Sequence, residues 1–512
     1  MSDWSSGYVA DIGYTYGYYQ ELNPLRIQLA FLNAGLKPPT QTGTHCELGY
    51  GQGMSVNIHA AASCSTWHAN DFNPSQAAFA QSLAAASGAN AHLTDEAFAD
   101  FCTRTDLPDF DSIGLHGIWS WINDENRALI VDFIRRKLKV GGVLYISYNT
   151  QPGWAAMLPM RDLLNEHSDV MGFAGQGIAK RIDGALEFAD KLMATNPSYL
   201  KANPVVIERL AGMKAHNRNY LAHEYFNRDW LPMPFSKMAE WLSAAKVDFA
   251  CNADYMGHID AVNLTQDQQT LLTEIPDSMF QQTVRDFMTN QQFRKDYWVK
   301  GARKLKVLEQ VEALRAQKII LTAHRADVSL KIKGALGEAT MQAAIYSPIL
   351  DVLADHKTKT LGQLEAALKK NDITFAQLLQ AVMVLAGSGT LMSVQEDTFI
   401  QKAKKHTDKL NAFLIDKSRS SSDISYLASP VTGGGVSVNR FQQLYLLAIL
   451  RGKKQPEDWA NFTWQVLHEQ REKVVKEGKT LETAEENLAE LTEQAQTFGH
   501  KMLPILKALQ IA

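Results

Sequence analysis

The feature that most constrains the fold of this chain is a glycine-rich loop, Glu47-Leu-Gly-Tyr-Gly-Gln-Gly53. It follows an apolar segment at residues 44–48 and precedes a helix-compatible run at residues 54–62. A strand, a tight glycine loop and a helix in this order open a doubly wound α/β domain. Glycine is needed where the backbone turns sharply and a ligand approaches it, because a Cβ atom would collide there. The dinucleotide pattern G-x-G-x-x-G does not fit, since its third glycine would fall at Met54.

The alternation of apolar segments and helical periodicities continues to about residue 150, which predicts a mostly parallel sheet. Predicted strands lie at residues 44–48, 65–70, 89–93, 111–115 and 143–148. Predicted helices lie between them, at residues 53–63, 74–87, 96–103 and 124–137. Ligands of such sheets bind at the carboxyl ends of the strands, so the residues that follow each strand are the candidates for a site.

Length and composition narrow the class of protein. With 512 residues, and roughly 100–200 residues per domain, the chain should form about three or four domains. Its hydrophobic content of 46% and charged content of 21% are typical of a soluble globular protein, and a net charge of −4 offers no basic surface for nucleic acid. We expect no membrane insertion, because no apolar run reaches the ~18 residues of a membrane span, and the first residues lack the features of a signal peptide.

The cysteines indicate a compartment. Four are present, without C-x-x-C spacing, which argues against a zinc site or a disulfide framework: Cys46, Cys64, Cys102 and Cys251. We therefore expect a cytoplasmic protein without a bound metal.

The pattern changes after Trp154, where strands are predicted largely to vanish. Residues 155–220 have a helical periodicity, as at Ile178, Ile182, Leu186 and Ala189. Residues 336–395 are predicted to form three helices and then a hairpin at 387–392, an order that resembles a winged helix. The third of these helices holds no Arg or Lys, which favours a structural or protein-contact role over DNA reading. The tail, residues 456–512, is predicted to be charged amphipathic helix.

The loop itself, read as E-x-G-x-G-x-G, resembles the first motif of class I S-adenosylmethionine (SAM)-dependent methyltransferases. This resemblance implies that Glu47 approaches the methionine part of SAM, directly or through water. Gly49, Gly51 and Gly53 would make room for the cofactor. The alternative is an ordinary α/β turn without a ligand.

Acidic residues follow the second and third predicted strands. Asp71 lies 18 residues after Gly53, a separation that fits an acid binding both ribose hydroxyls, and Phe72 is assigned to the same cofactor site. Asn73 is the better candidate to cap the helix that starts at Pro74. Asp95 is assigned to the adenine amino group or, alternatively, to the N-cap of the predicted 96–103 helix.

The fourth predicted strand runs into His116-Gly-Ile-Trp-Ser-Trp121. Trp119 and Trp121 would form a hydrophobic lid or an aromatic channel, or belong to the core. Aromatic walls suit methyl transfer to an amine, because cation–π contacts of roughly 0.5–2 kcal/mol stabilise the cationic groups. His116 is a candidate to contact the cofactor or to act as a base, and its alternative role is structural.

The fifth predicted strand ends at Tyr148 and Asn149, whose hydroxyl and amide could orient a substrate amine. Methyl transfer needs an aligned, neutral amine more than strong acid catalysis, so positioning can supply much of the rate. The alternative is a polar strand end before a Pro-Gly turn. We also assign Tyr16, in the N-terminal tyrosine cluster, to the acceptor side.

These motifs together resemble a family of bacterial class I methyltransferases that carry a methyltransferase regulatory domain. The family includes rickettsial protein-lysine methyltransferases that modify outer-membrane proteins. The matching segments, which span about residues 14–300, are Asn23-Pro24, Glu47–Gly53, Asp71–Pro74, His116–Trp121, Ser147–Trp154, Tyr220–Phe226, Asp286-Phe-Met and Gln292–Lys295. Trp119 departs from the family motif, where a tyrosine is expected, and this departure affects the acceptor pocket.

The resemblance implies a Rossmann-like catalytic domain followed by mainly helical domains. The expected domains are residues 1–154 (SAM-binding), 155–215 (helical and dimer-forming), 216–310 (regulatory), 311–400 (winged-helix-like) and 401–512 (helical). His223 and Glu224 are expected to be structural, because an H-E pair without a second His has little specificity for metal.

The sequence therefore predicts a cytoplasmic, homodimeric SAM-dependent methyltransferase that modifies lysine side chains of a protein. The family resemblance implies that this substrate can be an outer-membrane or surface protein. One alternative is methylation of a small molecule or a glycan. Another is a regulator that binds SAM without catalysis.

Overall fold

The computed structural model describes residues 13–173 and 175–512. The first twelve residues of the predicted 1–154 domain, and residue 174 of the predicted helical segment, lie outside the described residues.

A seven-stranded sheet forms the centre of the N-terminal half. Its strands are β1 (Thr44–Leu48), β2 (Thr66–Asn70), β3 (Ala91–Thr94), β4 (Phe110–Leu115), β5 (Leu138–Asn149), β6 (Asp248–Asn252) and β7 (Phe293–Val299). They are arranged in the order β3-β2-β1-β4-β5-β7-β6. All neighbours from β3 to β5 are parallel, whereas β7 is antiparallel to both β5 and β6. An antiparallel strand inserted before the edge distinguishes this sheet from the six-stranded parallel dinucleotide-binding sheet.

The first five strands and their helices agree closely with the prediction. The helices of this region are α1 (Pro24–Asn33), α2 (Met54–Ala62), α3 (Pro74–Ser87), α4 (Phe98–Phe101) and α5 (Asp124–Lys137). Asn73 caps α3 by accepting a hydrogen bond from the Ser75 N–H, and Pro74 occupies the first position of the helix, as predicted. The fourth predicted helix, 96–103, is shorter than expected.

The prediction that strands largely vanish beyond Trp154 is wrong, because β6 and β7 complete the sheet. The β7 sequence, Phe-Arg-Lys-Asp-Tyr-Trp-Val, contains three consecutive charged residues and so lacks the pattern of a buried strand. Each of the three is paired: Arg294 contacts Asp286 and Asp296, and Lys295 contacts Glu21. Buried charges are tolerated when they are paired and hydrogen-bonded.

The two faces of the sheet belong to different cores. Leu144, Ile146 and Tyr148 face a layer that contains α5 and α11 (Phe235–Ser243). Val143 and Tyr145, one position out of phase, face the layer of α1. This is the period of two expected for a strand, and it places Tyr145 and Tyr148 on opposite faces of the sheet.

Helices dominate residues 155–225, as predicted. They are α6 (Leu158–Met171), α7 (Ile178–Ala194), α8 (Ser198–Ala202), α9 (Val205–Ala215) and α10 (Arg218–Tyr225). The periodic residues Ile178, Ile182, Leu186 and Ala189 are all buried in a core of this segment. After α11, short helices precede β7: α12 (Asp260–Asn263), α13 (Gln266–Glu274) and α14 (Ser278–Thr289).

Residues 307–393 form four helices, a three-stranded sheet and a two-stranded sheet, and the last three helices follow the predicted helical order. The elements are α15 (Val307–Arg315), β8 (Lys318–Leu321), β9 (Lys331–Gly334), β10 (Gly337–Thr340), α16 (Ala343–Leu353), β11 (Lys359–Thr360), α17 (Leu361–Ala367), α18 (Phe375–Gly387) and β12 (Leu391–Ser393). The predicted hairpin at 387–392 is absent from this described segment, because α18 extends to Gly387 and β12 pairs with β8. Most of the apolar residues of α18 are buried, consistent with a structural role.

The C-terminal part packs directly on helices α2 and α3 of the N-terminal half. Its elements are α19 (Asp397–Lys417), β13 (Tyr426–Ser429), β14 (Gly434–Ser437), α20 (Arg440–Leu450), α21 (Pro456–Glu469), β15 (Val475–Lys476), β16 (Lys479–Thr480), α22 (Ala484–Thr497) and α23 (Leu503–Ala508). Its core includes Met54 and Ile58 of α2 and Leu83 of α3. Across residues 13–173 and 175–512, every helix is too short or too polar to traverse a lipid bilayer.

Candidate functional site

A cavity of about 320 Å³ opens at the carboxyl edge of β1, β2 and β4. Its wall combines the glycine loop, the segments after β2, β3 and β4, the start of α5, the N-terminal residues 13–19, here called the strap, and the end of α10. Three predicted parts of the site, the glycine loop, Asp71 with Phe72, and His116, are brought together here. The position agrees with the rule that ligands of doubly wound sheets bind at the carboxyl ends of the strands.

The glycine loop presents its backbone to the cavity. Gly49 and Gly51 line the cavity, and both have positive φ values, 68° and 58°. A Cβ at Gly49 would lie 2.6 Å from Ile118 Cδ1. Gly53 does not line the cavity; it starts α2 with φ 71°, and its Cβ would lie 2.4 Å from Ala80 Cβ. Gly53 therefore supports helix packing, which is a different role from that of the first two glycines.

Asp71 is fixed by the loop that it faces. Its Oδ2 accepts a hydrogen bond from the Gly51 N–H at 2.8 Å, and its Oδ1 accepts one from the Asn73 N–H at 3.0 Å. Burial raises the pKa of the Asp71 carboxyl to about 6. A carboxylate has about four acceptor positions, so two are left for a ligand. Phe72 lines the cavity beside it.

The residue beside Asp71 also presents a polar atom. The Asn70 amide Nδ2 donates to the Glu96 carbonyl, whereas Asn70 Oδ1 is buried without a hydrogen-bond partner among the described residues. Asn70 lines the cavity. A buried polar atom without a partner costs free energy, so this oxygen is a natural acceptor for a ligand donor.

Asp95, predicted to bind adenine, is exposed and lies outside the cavity wall. The chain beyond β3 instead contributes Ala97, Phe98 and Ala99. The structure therefore corrects this placement, and an apolar surface replaces the expected carboxylate. The sequence predicts a helix at 96–103, whereas the observed α4 begins at Phe98. The sequence therefore does not distinguish Asp95 from residues 97–99 as the part that faces the cavity.

Glu47 lies at the end of β1 but is buried behind the cavity wall. Its Oε2 has no hydrogen-bond partner within the described part of the chain. Burial, and then the nearby Asp71 carboxylate, raise the pKa of Glu47 to about 8. The structure does not bring Glu47 into direct contact with the cavity.

His116 does line the cavity, and its ring is constrained on one face and at its Nδ1 atom. Its ring stacks on Tyr19 with 3.5 Å between centroids, and its Nδ1 is 2.7 Å from the Tyr145 hydroxyl. Burial lowers the pKa of His116 to about 3. The imidazole is therefore neutral at physiological pH and a weak base.

Trp119 and Tyr148, predicted at the acceptor, are not at the cavity. Both are fully buried in the core that contains α5 and α11. The indole Nε1 of Trp119 contacts Met233 Sδ at 3.2 Å, and the Tyr148 hydroxyl donates to Asp296 Oδ2 at 3.0 Å. Strand alternation directs Tyr148 to the face opposite Tyr145. The structure therefore corrects the predicted placement of both side chains, and Trp121 is the tryptophan that lines the cavity.

Asn149 and Tyr16 are also outside the cavity wall. Asn149 accepts a hydrogen bond from Trp154 Nε1, so it holds the turn that follows β5. The Tyr16 ring lies edge-on against Phe79 of α3. The strap places Tyr16 outside the cavity wall, and Tyr14 and Tyr19 line the cavity instead.

The strap crosses the glycine loop and joins it to α10. Gln52 Nε2 donates to the Tyr14 carbonyl at 3.2 Å, and Asn219 Nδ2 of α10 donates to the Gly13 carbonyl at 3.1 Å. The Tyr14 ring lies edge-on to His223, 5.1 Å between centroids. The strap thus closes one side of the cavity.

His223 and Glu224, which the sequence indicated as structural, are part of the cavity wall, together with Asp229. Burial raises the pKa of Glu224 to about 7, and a hydrogen bond from Tyr14 partly offsets this rise. No local pattern identifies these residues, because only the packing of α10 against the strap brings them to the site.

The cavity has one sign of charge. Four carboxylates contribute to its wall, and none of its described lining residues is a lysine or an arginine: the acids are Asp71, Glu125, Glu224 and Asp229. A cleft with charge of one sign attracts ligands of the opposite sign. The site is therefore suited to cationic ligands and unsuited to phosphorylated ones.

The sheet order and the loop at its carboxyl edge define the class I methyltransferase fold. The structure of PKMT2 from Rickettsia typhi in complex with AdoHcy is similar with a TM-score of 0.68 and 16% identity, covering 94% of this chain and 98% of that one. A second PKMT2 structure gives a TM-score of 0.67 over 98% of this chain and 99% of that one. The predicted fold is thereby confirmed.

Sequence comparison gives the regulatory region and the family. Residues 217–300 match the family described as "Predicted methyltransferase regulatory domain". The chain belongs to the family of the uncharacterized protein sll1526 of Synechocystis sp., to which it is 41% identical over 515 residues, covering 99% of this chain and 100% of that protein. An uncharacterized protein of Rickettsia prowazekii is 29% identical over 204 residues, 38% of this chain and 35% of that protein. The resemblance to regulatory-domain methyltransferases drawn from the motifs is confirmed.

Proposed function

We propose that this protein is a SAM-dependent methyltransferase that transfers methyl groups to lysine side chains of a protein substrate. The proposal rests on one cavity, in which the glycine loop and Asp71 face an acidic and aromatic wall. None of the described residues of this wall is a lysine or an arginine. SAM carries a sulfonium and lysine an ammonium, so both ligands have the charge that this wall attracts.

The residues present fit SAM. Gly49 and Gly51 leave space that a Cβ would fill, and Asp71 has acceptor positions for ribose hydroxyls. The unpaired Asn70 Oδ1 can accept a further hydrogen bond, and the apolar segment 97–99 can cover the base. The R. typhi PKMT2 structure with AdoHcy, which has the same fold, supports this assignment.

When bound, SAM supplies an electrophilic methyl group on a sulfonium. The protein has to present a neutral amine and exclude water. Tyr14, Tyr19 and Trp121 provide the aromatic surface for this purpose, and each cation–π contact with an alkylammonium would contribute roughly 0.5–2 kcal/mol. Positioning of the amine supplies much of the rate in such a transfer.

Methylation of a hydroxyl on a small molecule or glycan would need a base, for which His116 is the sequence candidate. The geometry disfavours it, because the His116 ring is stacked on Tyr19 and its Nδ1 is engaged with Tyr145. With its pKa lowered to about 3 by burial, His116 is too weak to deprotonate a hydroxyl.

The proposal also includes a homodimer formed through residues 155–215 in the cytoplasm. Large apolar side chains are exposed on this segment, as a subunit contact requires: Val170, Met171, Phe173, Val205 and Ile207. An outer-membrane or surface protein as substrate, and the domain boundaries beyond the matched region, rest on the family resemblance. Light scattering on the purified protein would measure the mass of the assembly.

The function is tested by incubating the purified protein with methyl-labelled SAM and a lysate of its host. We expect label in a protein band that survives base treatment and maps to lysine. Label only in the small-molecule fraction would favour a metabolite or glycan acceptor. Binding of S-adenosylhomocysteine without any label transfer would favour a non-catalytic regulator.

A further inference from the structure

Glu224 is a carboxyl group of the cavity wall. It lies near the end of α10, half-buried, and faces the cavity across from the glycine loop. Among the described residues it forms no ion pair, although ion pairs are common elsewhere in the chain. Burial has the largest effect on the pKa of Glu224 and raises it, and a hydrogen bond from the Tyr14 side chain partly offsets this rise.

The other acids of the cavity are hydrogen-bonded, paired with a cation or exposed to solvent. Asp71 accepts hydrogen bonds from the glycine loop and from Asn73. Asp229 pairs with Arg228, and Glu125 is exposed at the start of α5. Among the described residues, Glu224 is therefore the carboxyl of the cavity that is both partly sheltered from solvent and without an ion-pair partner.

Aromatic groups surround this carboxyl on the side of the strap. Tyr14 contacts both Glu224 and the glycine loop. Its side chain hydrogen-bonds Glu224, and a Cβ atom added at Gly51 would lie 3.3 Å from its ring. Tyr19 is close enough to Glu224 for the carboxylate to raise its pKa. An alkylammonium entering along these rings would meet Glu224 as its counter-ion.

We propose that Glu224 receives the acceptor amine in its ammonium form and takes up one of its protons, which leaves the neutral amine that methyl transfer requires. This inference rests on the proposed function. In the step, one N–H bond of the ammonium breaks and its electron pair stays on nitrogen. The proton forms an O–H bond with a Glu224 carboxylate oxygen and later passes to solvent.

Desolvation makes this transfer feasible. A lysine ammonium in water is a far weaker acid than a glutamic acid, but burial lowers the pKa of an amine and raises that of a carboxyl. Burial already raises the pKa of Glu224 to about 7. The titratable groups facing Glu224 come from the strap, from α10 and from the residues after it: Tyr14, Tyr19, Tyr220, His223, Tyr225 and Asp229.

The test compares wild type, Glu224→Gln, Glu224→Asp and the control Glu208→Gln, an exposed acid on the neighbouring α9. Methyl-labelled SAM and host lysate protein are the substrates, and initial rates are measured from pH 6 to pH 9.5. Binding of S-adenosylhomocysteine is measured by calorimetry for every variant, which also reports whether each one is folded.

We expect Glu224→Gln to lower turnover about 100-fold, the lower range for a general base, with its S-adenosylhomocysteine affinity within 3-fold of wild type. The wild-type rate should rise through pH 7, and this rise should be absent in Glu224→Gln and partly restored in Glu224→Asp. Glu208→Gln should behave as wild type.

Three results would overturn the inference. An unchanged rate and pH profile in Glu224→Gln would remove the residue from proton transfer while the proposed function stands. A loss of S-adenosylhomocysteine affinity above 10-fold would assign the carboxylate to the cofactor. If the wild type binds S-adenosylhomocysteine but transfers no label, the proposed function fails and the inference with it.

Discussion

The two halves of the cavity are built in different ways. The proposed cofactor half consists of the glycine loop and Asp71, which lie within 25 residues of one another (positions 47 to 71) and follow adjacent strands. The proposed acceptor half combines the strap with α10, which are about 200 residues apart and meet through contacts such as Asn219 to Gly13. Local sequence determines the first half, whereas tertiary packing creates the second. The first half should therefore respond to mutation mainly in stability and affinity, and the second in turnover.

Gly53→Ala should produce the largest loss of stability in the cofactor half. The new Cβ would meet Ala80 Cβ at 2.4 Å, in a left-handed backbone conformation that disfavours a side chain. We expect a loss of about 3 kcal/mol, from overpacking and backbone strain together. Gly88→Ala is the matched control, because Gly88 has φ 60° but nothing within 4 Å of its Cβ position, so only about 1 kcal/mol should be lost. Denaturant unfolding measures both; equal losses would contradict the close approach.

Asp71→Ala should have the next largest effect, on affinity. If the Asp71 carboxylate binds the ribose hydroxyls as proposed, its removal should weaken S-adenosylhomocysteine binding about 30-fold, within the roughly 1.5–3 kcal/mol of hydrogen bonds to charged groups. Asp95→Ala, at an exposed acid outside the cavity, serves as the control and should bind normally. If calorimetry found Asp95→Ala to be the weaker binder, the assignment of the two acids would be reversed.

Tyr148→Phe separates stability from turnover. Its hydroxyl donates to the buried Asp296, so its removal leaves a buried acceptor with one partner fewer. We expect a loss of about 1 kcal/mol of stability and unchanged kcat, because the side chain faces away from the cavity. A clear fall in kcat with normal stability would return Tyr148 to the acceptor site.

Glu47→Gln should have an effect that depends on pH. The pKa of Glu47 is raised by burial from its usual range to about 8, so the folded protein binds a proton that the unfolded chain has lost. Wild-type stability contributed by this group therefore falls as pH rises from about 4.5 to 8. The amide variant does not ionise, so its melting temperature relative to wild type should increase by about 2 °C across this range. Thermal scans at pH 5 and pH 8 provide the check; a gap of the same size at both would show that Glu47 titrates normally.

The sequence predicted most of the catalytic sheet, for a physical reason. The periods of two and 3.6 residues are local, so β1 to β5 were located to within a few residues, apart from the longer N-terminal extension of β5. Strand β7 escaped because its charged residues are satisfied by distant partners, such as Glu21 for Lys295. A pattern method cannot distinguish a buried ion pair from a solvent-exposed charge.

The same limit applies to the site. Asp71 and His116 directly follow strands, and the structure places both in the cavity wall. Their roles toward cofactor and substrate stay predictions. The sequence does not reveal to which face of the sheet each β5 side chain points, so it does not show that Tyr148 lies in the core that contains α5 and α11. The sequence predicts a structural role for Glu224, because the contact between α10 and the strap, which brings Glu224 to the cavity wall, has no local signal in either segment.

The most direct measurement of the central claim compares Asp71→Ala and Glu224→Gln in parallel, with S-adenosylhomocysteine affinity and the rate of label transfer to protein lysine determined for each. If the two halves of the cavity bind cofactor and acceptor separately, Asp71→Ala loses affinity and recovers its rate at saturating SAM. Glu224→Gln keeps its affinity and loses its rate at every SAM concentration. The same defect in both variants, or label on a residue other than lysine, would contradict this division of the site.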